Sequence, residues 1–403
     1  MGKPTIRVEG YTDDWEQRKL NEIADKVSEK NKNNEFSEPF TNSAEQGIIS
    51  QKDYFDREIV NNENLNGYYI VRNDDFIYNP RISATAPVGP INRNRLGRNG
   101  VMSPLYTVFR THDIDNLYLE FYFKTTKWHR FMKLNGDSGA RFDRFTISST
   151  QFMEMPIPYP TLEEQQKIGE YFESLDTLIT LHQRKCEETK KLKKFMLQKM
   201  FPKKGEKVPE IRFGGFTDDW EQRKFGEIVE KYEDPVETPT EGYTRLGIRS
   251  HAKGTFHSYV EKGKELETAK MFRVAADKFI VNITFGWEHA VAITDENDAG
   301  KLVSHRFPQY SFNAGMEPKF FRYRILDENF KHHLELSSPG GAGRNRVLKL
   351  SDMLQYKMNF PSEAEQKKIA AYFDDLDHLI TLHQHKCEEL QNIKKFMLQN
   401  MFI

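Results

Sequence analysis

The octet TDDWEQRK occurs at residues 12–19 and again, letter for letter, at residues 217–224. It lies within a longer match between PTIRVEGYTDDWEQRKLNEI (residues 4–23) and PEIRFGGFTDDWEQRKFGEI (residues 209–228). An identity of this length within one chain indicates an internal duplication. The copies stand about half of the 403 residues apart, so the chain consists of two related halves.

A second, longer repeat closes each half. YPTLEEQQKIGEYFESLDTLITLHQRKCEETKKLKKFMLQKMF (residues 159–201) matches FPSEAEQKKIAAYFDDLDHLITLHQHKCEELQNIKKFMLQNMF (residues 360–402). The chain therefore runs from a short header through a variable segment to a long repeat, and then does so again. We predict a header and first variable domain over residues 1–159, a first long repeat over 160–201, a second header and variable domain over 202–360, and a second long repeat over 361–403.

Both long repeats carry helix signals. Pro160 and Pro361 precede Thr161 and Ser362, which can cap a helix whose first turn is acidic. Only Gly169 interrupts the first repeat, and no glycine or proline interrupts the second. Apolar residues recur at spacings of four and three, which is typical of a coiled-coil seam. The predicted seam residues are Ile168, Phe172, Leu175, Ile179, His182, Cys186, Ile369, Phe373, Leu376, Ile380, His383 and Cys387.

A lone helix with such a stripe needs a partner, and the nearest partner is the other copy. At about 1.5 Å per residue, each repeat would form a rod of roughly 58 Å. We therefore predict an antiparallel coiled coil. The spacing of His182 to Cys186, and of His383 to Cys387, can also bind zinc. We favour the seam interpretation and predict no metal, because free cysteine packs as a small apolar residue.

The two variable segments differ in sequence, yet both read as strand-rich globules. Strands are predicted within GYYIVRNDDFIYNP (residues 67–80), SPLYTVFR (103–110), DKFIVNITF (277–285) and KFFRYRIL (319–326), where β-branched and aromatic residues cluster between turn residues. The predicted fold class is α+β. Two mixed α/β domains are joined by two long antiparallel coiled-coil helices, with an internal pseudo-twofold repeat.

Local charge is informative although the formal net charge of the whole chain is only -1. Residues 76–160 contain eleven Lys/Arg against six Asp/Glu, and residues 301–351 contain nine against four. Much of the excess lies in three glycine-containing loops, NRNRLGRNG (residues 92–100), SGARFDR (138–144) and GGAGRNR (340–346). Arg and Asn side chains bond bidentately to guanine and adenine edges, and glycines let a loop approach a phosphate backbone.

These loops predict a DNA-binding surface, with ordinary solvated loops as the open alternative for any one of them. RLGIRSHAKG (residues 245–254) is a weaker candidate of the same kind. The predicted DNA-binding residues are Arg81, Arg93, Arg95, Arg98, Arg141, Arg144, Arg245, Arg249, Lys253, Arg306, Arg344, Asn345 and Arg346.

Several classes of protein are disfavoured. Two cysteines are too few for a disulfide framework, no apolar run is long enough to cross a membrane, and the N-terminus lacks a signal-peptide core. We expect a soluble, cytoplasmic protein. The chain has no GxxxxGK[ST] loop, and NPRI (residues 79–82) lacks the second proline and the aromatic residue of a nucleic-acid aminomethyltransferase motif. These absences predict a non-catalytic chain that binds no cofactor of its own.

The arrangement resembles the specificity (S) subunits of type I restriction–modification systems. The matching pieces are PTLEEQQKI (residues 160–168), PSEAEQKKI (361–369), the LDTLITLHQRK and LDHLITLHQHK helices, and both WEQRK headers. The likeness is strong for the helices and headers and architectural for the variable segments.

The resemblance implies a DNA-specificity subunit whose two recognition domains each read one half of a bipartite, asymmetric site in double-stranded DNA. The helices would set the spacing and dock two modification (M) subunits, and restriction (R) subunits would complete the complex. S-adenosylmethionine, ATP and Mg²⁺ would belong to those partners. Two other classes stay open: a self-contained DNA enzyme, disfavoured by the missing motifs, and a coiled-coil scaffold without a nucleic-acid role. The scaffold is disfavoured because variable segments of about 130 residues exceed ordinary connecting loops.

Overall fold

The computed structural model describes residues 2–54, 62–138, 143–264, 270–341 and 346–403. Three of the predicted DNA-binding residues, Arg141, Arg344 and Asn345, lie outside these ranges. The chain divides into two compact units. The first unit comprises residues 1–183 and 384–403, and the second comprises residues 184–383. Each unit therefore contains one variable domain together with part of each long helix.

The described part of the first half contains twelve strands and five α-helices. In chain order the strands are β1 (Glu16–Lys19), β2 (Ala24–Lys26), β3 (Phe40–Ser43), β4 (Gly47–Ser50), β5 (Tyr69–Val71), β6 (Phe76–Tyr78), β7 (Ile91–Arg93), β8 (Gly100–Met102), β9 (Thr107–Thr111), β10 (Asp137–Ser138), β11 (Phe145–Thr146) and β12 (Pro156–Tyr159). The helices are α1 (Gln51–Tyr54), α2 (Asn116–Phe123), α3 (His129–Asn135), α4 (Ser149–Met153) and α5 (Leu162–Lys199).

The second half, over the same described ranges, continues with eleven strands and four α-helices. The strands are β13 (Glu221–Lys224), β14 (Val229–Tyr232), β15 (Pro235–Val236), β16 (Tyr243–Ile248), β17 (Thr255–Val260), β18 (Met271–Arg273), β19 (Lys278–Val281), β20 (Val291–Ile293), β21 (Leu302–Ser304), β22 (Gln309–Phe312) and β23 (Lys357–Phe360). The helices are α6 (Pro318–Arg324), α7 (Glu328–Leu336), α8 (Leu350–Met353) and α9 (Glu363–Asn400).

The two variable domains share a central sheet although their sequences diverge. In the first domain its order is β2-β9-β6-β7, and in the second it is β14-β22-β19-β20, with antiparallel pairing throughout. The second domain also has a five-stranded sheet of order β15-β18-β21-β16-β17 within its described residues. The predicted pseudo-twofold repeat thus extends from the headers and helices into the architecture of the variable domains.

Each header forms a strand that pairs with the strand preceding a long helix. β1 runs antiparallel to β12, with Glu16 opposite Tyr159, and β13 runs antiparallel to β23, with Glu221 opposite Phe360. The tryptophan of each header, Trp15 or Trp220, is buried in the core of its unit. The repeated octet therefore closes each half by fixing its beginning to the residues just before the helix.

The two long helices are each 38 residues long and pack together in antiparallel fashion. In the first unit, the rings of Phe172 and Phe402 stack with centroids 5.8 Å apart, and Asp176 pairs with Lys394. In the second unit, Phe373 stacks on Phe201 at 6.0 Å. The predicted antiparallel helix pair is confirmed.

The seam residues of the helices lie on buried or half-buried positions. Eight of them are at most 8% exposed: Ile168, Phe172, Leu175, Ile179, Cys186, Ile369, Phe373 and Leu376. The others, His182, Ile380, His383 and Cys387, are half-buried. The thiol of Cys186 lies 3.9 Å from the carbonyl oxygen of Ile380, so this cysteine packs against α9. Among the described residues, no helix is long and apolar enough to cross a bilayer.

One strand prediction was wrong. The segment KFFRYRIL does not form a strand, because residues 318–324 form α6. Glu317 caps this helix by accepting a hydrogen bond from the amide of Lys319 at 3.3 Å, and Pro318 occupies its first turn. Proline is favoured at that position since its φ is already helical and it lacks only an amide that would be unpaired there. A short aromatic run does not distinguish strand from helix, whereas the preceding cap does.

Candidate nucleic-acid interface and the repeated scaffold that carries it

An ion pair fixes the first header to the start of α5. The guanidinium of Arg7 donates two hydrogen bonds to Glu164, at 2.8 and 2.9 Å, and the indole of Trp15 donates a third at 3.2 Å. The Glu164 side chain is fully buried, so the pair is shielded from solvent. A carboxylate is also favoured here because the first turn of a helix carries partial positive charge.

The second half repeats the ion pair but not the bond from the indole, because the Trp220 nitrogen is buried without a hydrogen-bond partner among the described residues. Arg212 donates two hydrogen bonds of 2.7 Å to Glu365, whose side chain is 1% exposed. The sequence analysis quoted these residues within the repeats but gave them no role. The signal was present, since an Ile-Arg pair in both headers and a Glu-Gln pair in both helices are the same letters at matching positions.

A glutamine beside each buried glutamate fixes the variable domain to its long helix. Gln165 accepts a hydrogen bond from the amide of Asp115 at 2.9 Å, and Asp115 is the residue that caps α2. Gln366 accepts from the amide of Glu317 at the same distance, and Glu317 caps α6. Each domain is thereby joined to its own helix through one glutamine and one helix cap.

One acidic position of each long helix strengthens this attachment, with a different partner in each unit. In the first unit, Arg95 donates hydrogen bonds of 3.0 and 2.9 Å to Glu173, which lowers the pKa of that carboxyl. In the second unit, the hydroxyl of Tyr323 donates to Asp374 at 2.7 Å. Burial raises the pKa of Tyr323 and the hydrogen bond to Asp374 adds to the rise, so the hydroxyl remains a donor. The acidic residue of the helix is equivalent in both halves, whereas the variable-domain residue that binds it is an arginine in one and a tyrosine in the other.

The structure places three of the predicted DNA-binding arginines in internal ion pairs. Arg98 donates two hydrogen bonds to Glu38, at 2.8 and 2.7 Å. Arg93 and Arg95 both approach Glu120, with their Nε atoms 2.9 and 2.7 Å from its Oε2. Each of these guanidiniums is therefore already neutralised, and contact with DNA would require an exchange of partners.

Arg346 is held by the chain itself. Its guanidinium donates hydrogen bonds of 3.1 Å to the carbonyl oxygens of Ser338 and Glu335, at the end of α7, and lies 5.2 Å from the centroid of the Trp287 ring. A cation at a helix C-terminus stabilises the carbonyls there. Arg346 therefore attaches the segment that begins at residue 346 to the end of α7.

The other described basic residues of the predicted interface have no carboxylate within salt-bridge distance among the described residues. Arg81, Arg245, Arg249, Lys253 and Arg306 are exposed, and Arg144 is half-buried. Arg306 makes only a 3.4 Å contact from its guanidinium to the hydroxyl of Thr284. Arg249 donates to the carbonyl of Thr255. These cations are available for a polyanion.

A hairpin of the second domain exposes two aromatic side chains, one on each face, to which no role was assigned from the sequence. β17 is the edge strand of the five-stranded sheet, and its Phe256 and Tyr259 are 40% and 65% exposed. The ring of Phe256 lies on Gly247, where a Cβ atom would come within 2.3 Å of it, and Arg249 lies 5.3 Å from the ring centroid. Exposed aromatic and cationic groups on one edge are typical of surfaces that contact nucleic acid. The signal was the group of β-branched and aromatic residues in TFHSYV (residues 255–260), which was not singled out.

The long helices also expose apolar side chains at equivalent positions. Leu178 and Leu181 of α5, and their counterparts Leu379 and Leu382 of α9, are each more than two-fifths exposed. Phe195 and its counterpart Phe396 are about half exposed. Such repeated apolar surface outside the seam is typical of a surface that binds another protein. Each unit contains three of these side chains, and we call each set of three an outer helix surface.

The comparisons with known proteins agree with this architecture. The family model of the type I restriction modification DNA specificity domain matches residues 12–191 and 217–392. The type I restriction enzyme MjaVIII specificity subunit of Methanocaldococcus jannaschii is 25% identical over 321 residues, which is 74% of this chain and 73% of that protein. The chain belongs to the family of type I restriction–modification specificity subunits.

Solved structures support the same fold. The S subunit of a type I restriction-modification system from M. genitalium has a TM-score of 0.55 at 12% identity, with 100% of this chain and 99% of that chain covered. The HsdS subunit from Thermoanaerobacter tengcongensis has a TM-score of 0.51 at 13% identity, covering 98% of each chain. At these identities the likeness shows a shared fold, and it extends over almost the whole of each chain.

Proposed function

We propose that this subunit recognises a bipartite, asymmetric sequence in double-stranded DNA, with one half read by each variable domain. The observation that carries the proposal is the contrast between what is repeated and what is not. The anchors from Arg7 to Glu164 and from Arg212 to Glu365 are the same, whereas the exposed cations differ in position. In the first domain Arg81 and Arg144 lie on an isolated bridge, and in the second Arg245 lies in the five-stranded sheet. Two variable domains with different surfaces, carried on the same duplicated headers and helices, are suited to recognising two different half-sites.

The exposed basic residues would supply two kinds of contact. Lys and Arg contacts to phosphates give affinity that depends on salt and not on sequence. Contacts to base edges give discrimination, about 1–3 kcal/mol for a good bidentate pair. In the second domain, Arg245, Arg249 and the exposed Phe256 lie on one hairpin, which makes it our candidate for base contacts.

The long helices would set the number of base pairs between the half-sites. A helix of 38 residues spans about 57 Å at about 1.5 Å per residue. The pairs Asp176–Lys394 and Asp377–Lys193 fix the register of one helix against the other. A fixed register would hold the spacing constant, so the bases between the half-sites would go unread.

The two outer helix surfaces would dock two copies of the modification (M) subunit. One copy would use the surface around Leu178, Leu181 and Phe396, and the other the surface around Leu379, Leu382 and Phe195. Identical surfaces suit identical partners. S-adenosylmethionine would be bound by those subunits, which would flip the target adenine into their own pocket. Restriction (R) subunits would bring ATP- and Mg²⁺-dependent cleavage, so this chain would act in an enzyme complex without a catalytic site of its own.

The proposal is tested by co-expressing the chain with its modification subunit and mapping methylated adenines across the host genome. We expect a split, asymmetric motif that requires both proteins. The modification subunit alone is the control. A stable complex that methylates no new sequence, or methylates a continuous motif, would contradict the bipartite reader.

The docking step is tested with Leu181→Lys and Leu382→Lys, alone and together. Each single change should remove one bound modification subunit, and the double change should remove both, because a charged amine cannot be buried in an apolar contact. Thr180→Lys, which adds the same charge at an exposed position on another side of the same helix, is the matched control. Unchanged two-to-one assembly of the double variant, measured by native mass spectrometry, would place docking elsewhere.

The spacing step is tested by lengthening both helices without changing the phase of the seam. Seven residues inserted after Thr189 and seven after Leu390 would keep the heptad and add about 10 Å, which is roughly three base pairs. We expect the same half-site bases separated by a longer spacer, or loss of methylation. Full activity with the original spacer would rule out the helices as the measuring element.

A further inference from the structure

Arg81 and Arg144 lie directly opposite each other on neighbouring extended segments of the first recognition domain. They form an isolated antiparallel bridge. The amide of Ile82 donates to the carbonyl of Asp143 at 3.0 Å, and the amide of Phe145 donates to the carbonyl of Pro80 at 2.7 Å. These two hydrogen bonds flank the arginines on both sides. The arginines therefore occupy the non-hydrogen-bonded type of pair, in which opposite side chains approach most closely.

This placement puts two like charges together without compensation. No carboxylate of the described residues lies within salt-bridge distance of either guanidinium, and Asp143, although adjacent to Arg144 in sequence, forms no ion pair with it. The contrast within the domain is direct, since Arg98 and Arg110 each have a carboxylate at 2.7–2.8 Å. Like charges directly opposite each other across strands are destabilising. We therefore expect the pair to be unfavourable in the free protein.

The backbone beneath the pair is held firmly. Tyr78 is buried and stacks on Phe152 with ring centroids 4.8 Å apart, and Phe145 is buried on the opposite segment. The amide of Arg81 is bonded to the side chain of Asn79 at 2.9 Å. The backbone positions of the two arginines are therefore held next to each other by the fold.

We infer that Arg81 and Arg144 form one phosphate-binding subsite that contacts the DNA backbone. An anion placed between two guanidiniums removes their repulsion and can accept hydrogen bonds from both. A guanine edge carries no formal charge and offers its two acceptors to a single arginine. The pair therefore suits a phosphate better than a base. This inference rests on the proposed function for its ligand, because DNA is the polyanion that the proposed function brings to this domain.

The experiment uses the full chain and its complex with the modification subunits. The variants are Arg81→Gln, Arg144→Gln and the double change. Arg98→Gln, which removes an arginine with a carboxylate partner from the same domain, is the matched control. Thermal unfolding of the chain alone is measured in chloride and in inorganic phosphate at equal ionic strength. DNA affinity of the complex is measured at several salt concentrations with a duplex that contains the mapped site.

In chloride, either single change should raise Tm by about 1–3 °C because the repulsion is lost, whereas Arg98→Gln should lower it. Phosphate should stabilise the wild-type chain and the Arg98→Gln chain more than the double variant. In the DNA assay, the double change should reduce the slope of log K against log salt by about 0.9, the value for one phosphate. The methylated sequence should not change, because phosphate contacts carry no direct sequence information.

Four results would overturn the inference. A fall in Tm in chloride would mean that the arginines support the fold. An altered base preference would make one of them a base reader. A salt slope that the double change leaves intact would exclude the DNA contact. Phosphate binding by the chain, combined with a complex that has no specific DNA affinity, would overturn both the DNA assignment and the proposed function while leaving an anion site.

Discussion

Asp176 of α5 forms an ion pair with Lys394 of α9. The pair recurs with the helices exchanged, as Asp377 of α9 with Lys193 of α5, at the equivalent positions of the duplicated sequence. One duplicated aspartate and one duplicated lysine thus produce two contacts that fix the antiparallel register. In a parallel arrangement the same residues would not form these two reciprocal contacts. The ion pairs therefore favour the antiparallel arrangement of the helices.

We expect Asp176→Lys to destabilise the first unit by about 1 kcal/mol, because it replaces a half-buried attraction with repulsion from Lys394 and from Lys124, which lies 3.8 Å from Asp176. Adding Lys394→Asp should restore at least half of that loss. Urea unfolding of the single and double variants gives the coupling. Asp377→Lys, in the second copy, should cost at least as much, because it also removes the hydrogen bond of 3.1 Å that Tyr323 donates to Asp377. Additive losses in the double variant would show that the pair does not set the register.

We expect Gly169→Ala to lower the stability of the first unit by about 1 kcal/mol. Helix propensity alone would favour alanine by about 1 kcal/mol. A Cβ atom at this position, however, would lie 2.6 Å from the Cβ of Leu117 in α2, and overpacking of that kind costs about 1–3 kcal/mol. The equivalent position of α9 is Ala370, where the second domain leaves room. Urea unfolding decides the sign, and a gain in stability would mean that α2 shifts freely.

Stability should also fall as the pH is lowered from 7 to 5, in part through His289. Burial lowers the pKa of this imidazole, whose Nε2 lies 2.8 Å from the carbonyl oxygen of Ile325. Because the unfolded chain has the higher pKa, about 6.5, the neutral ring contributes fully above that pH and its contribution is lost below it. His289→Asn, which tolerates the left-handed backbone there (φ 60°), should flatten this part of the profile of Tm against pH. An unchanged profile would assign the dependence to other groups.

The sequence predicted the duplicated frame well because its signals are local. The seam spacing, the Pro-Thr and Pro-Ser starts and the identical headers each depend on residues a few positions apart. The pairing of β1 with β12 could not be predicted in the same way. It joins Glu16 to Tyr159 across the whole variable domain, and no local pattern specifies which distant strand a header meets.

The candidate interface was harder to predict for the same reason. A count of local charge treats Arg95 and Arg98 as equivalent to Arg81. In the structure, however, Arg95 and Arg98 form ion pairs with glutamates that lie 78 and 60 residues away in the sequence. Only the fold decides which cations are neutralised. The error at α6 has a different origin, since Glu317 and Pro318 did mark a helix start and the aromatic run was given more weight.

The most direct test of the account is to exchange residues 24–159 for the first recognition domain of another specificity subunit and to map adenine methylation again. The anchors of residues 1–23 and both long helices stay in place. The account predicts a new sequence in one half-site, with the other half-site and the spacer unchanged. A change in both half-sites, or in the spacer alone, would contradict the assignment of one half-site to each domain.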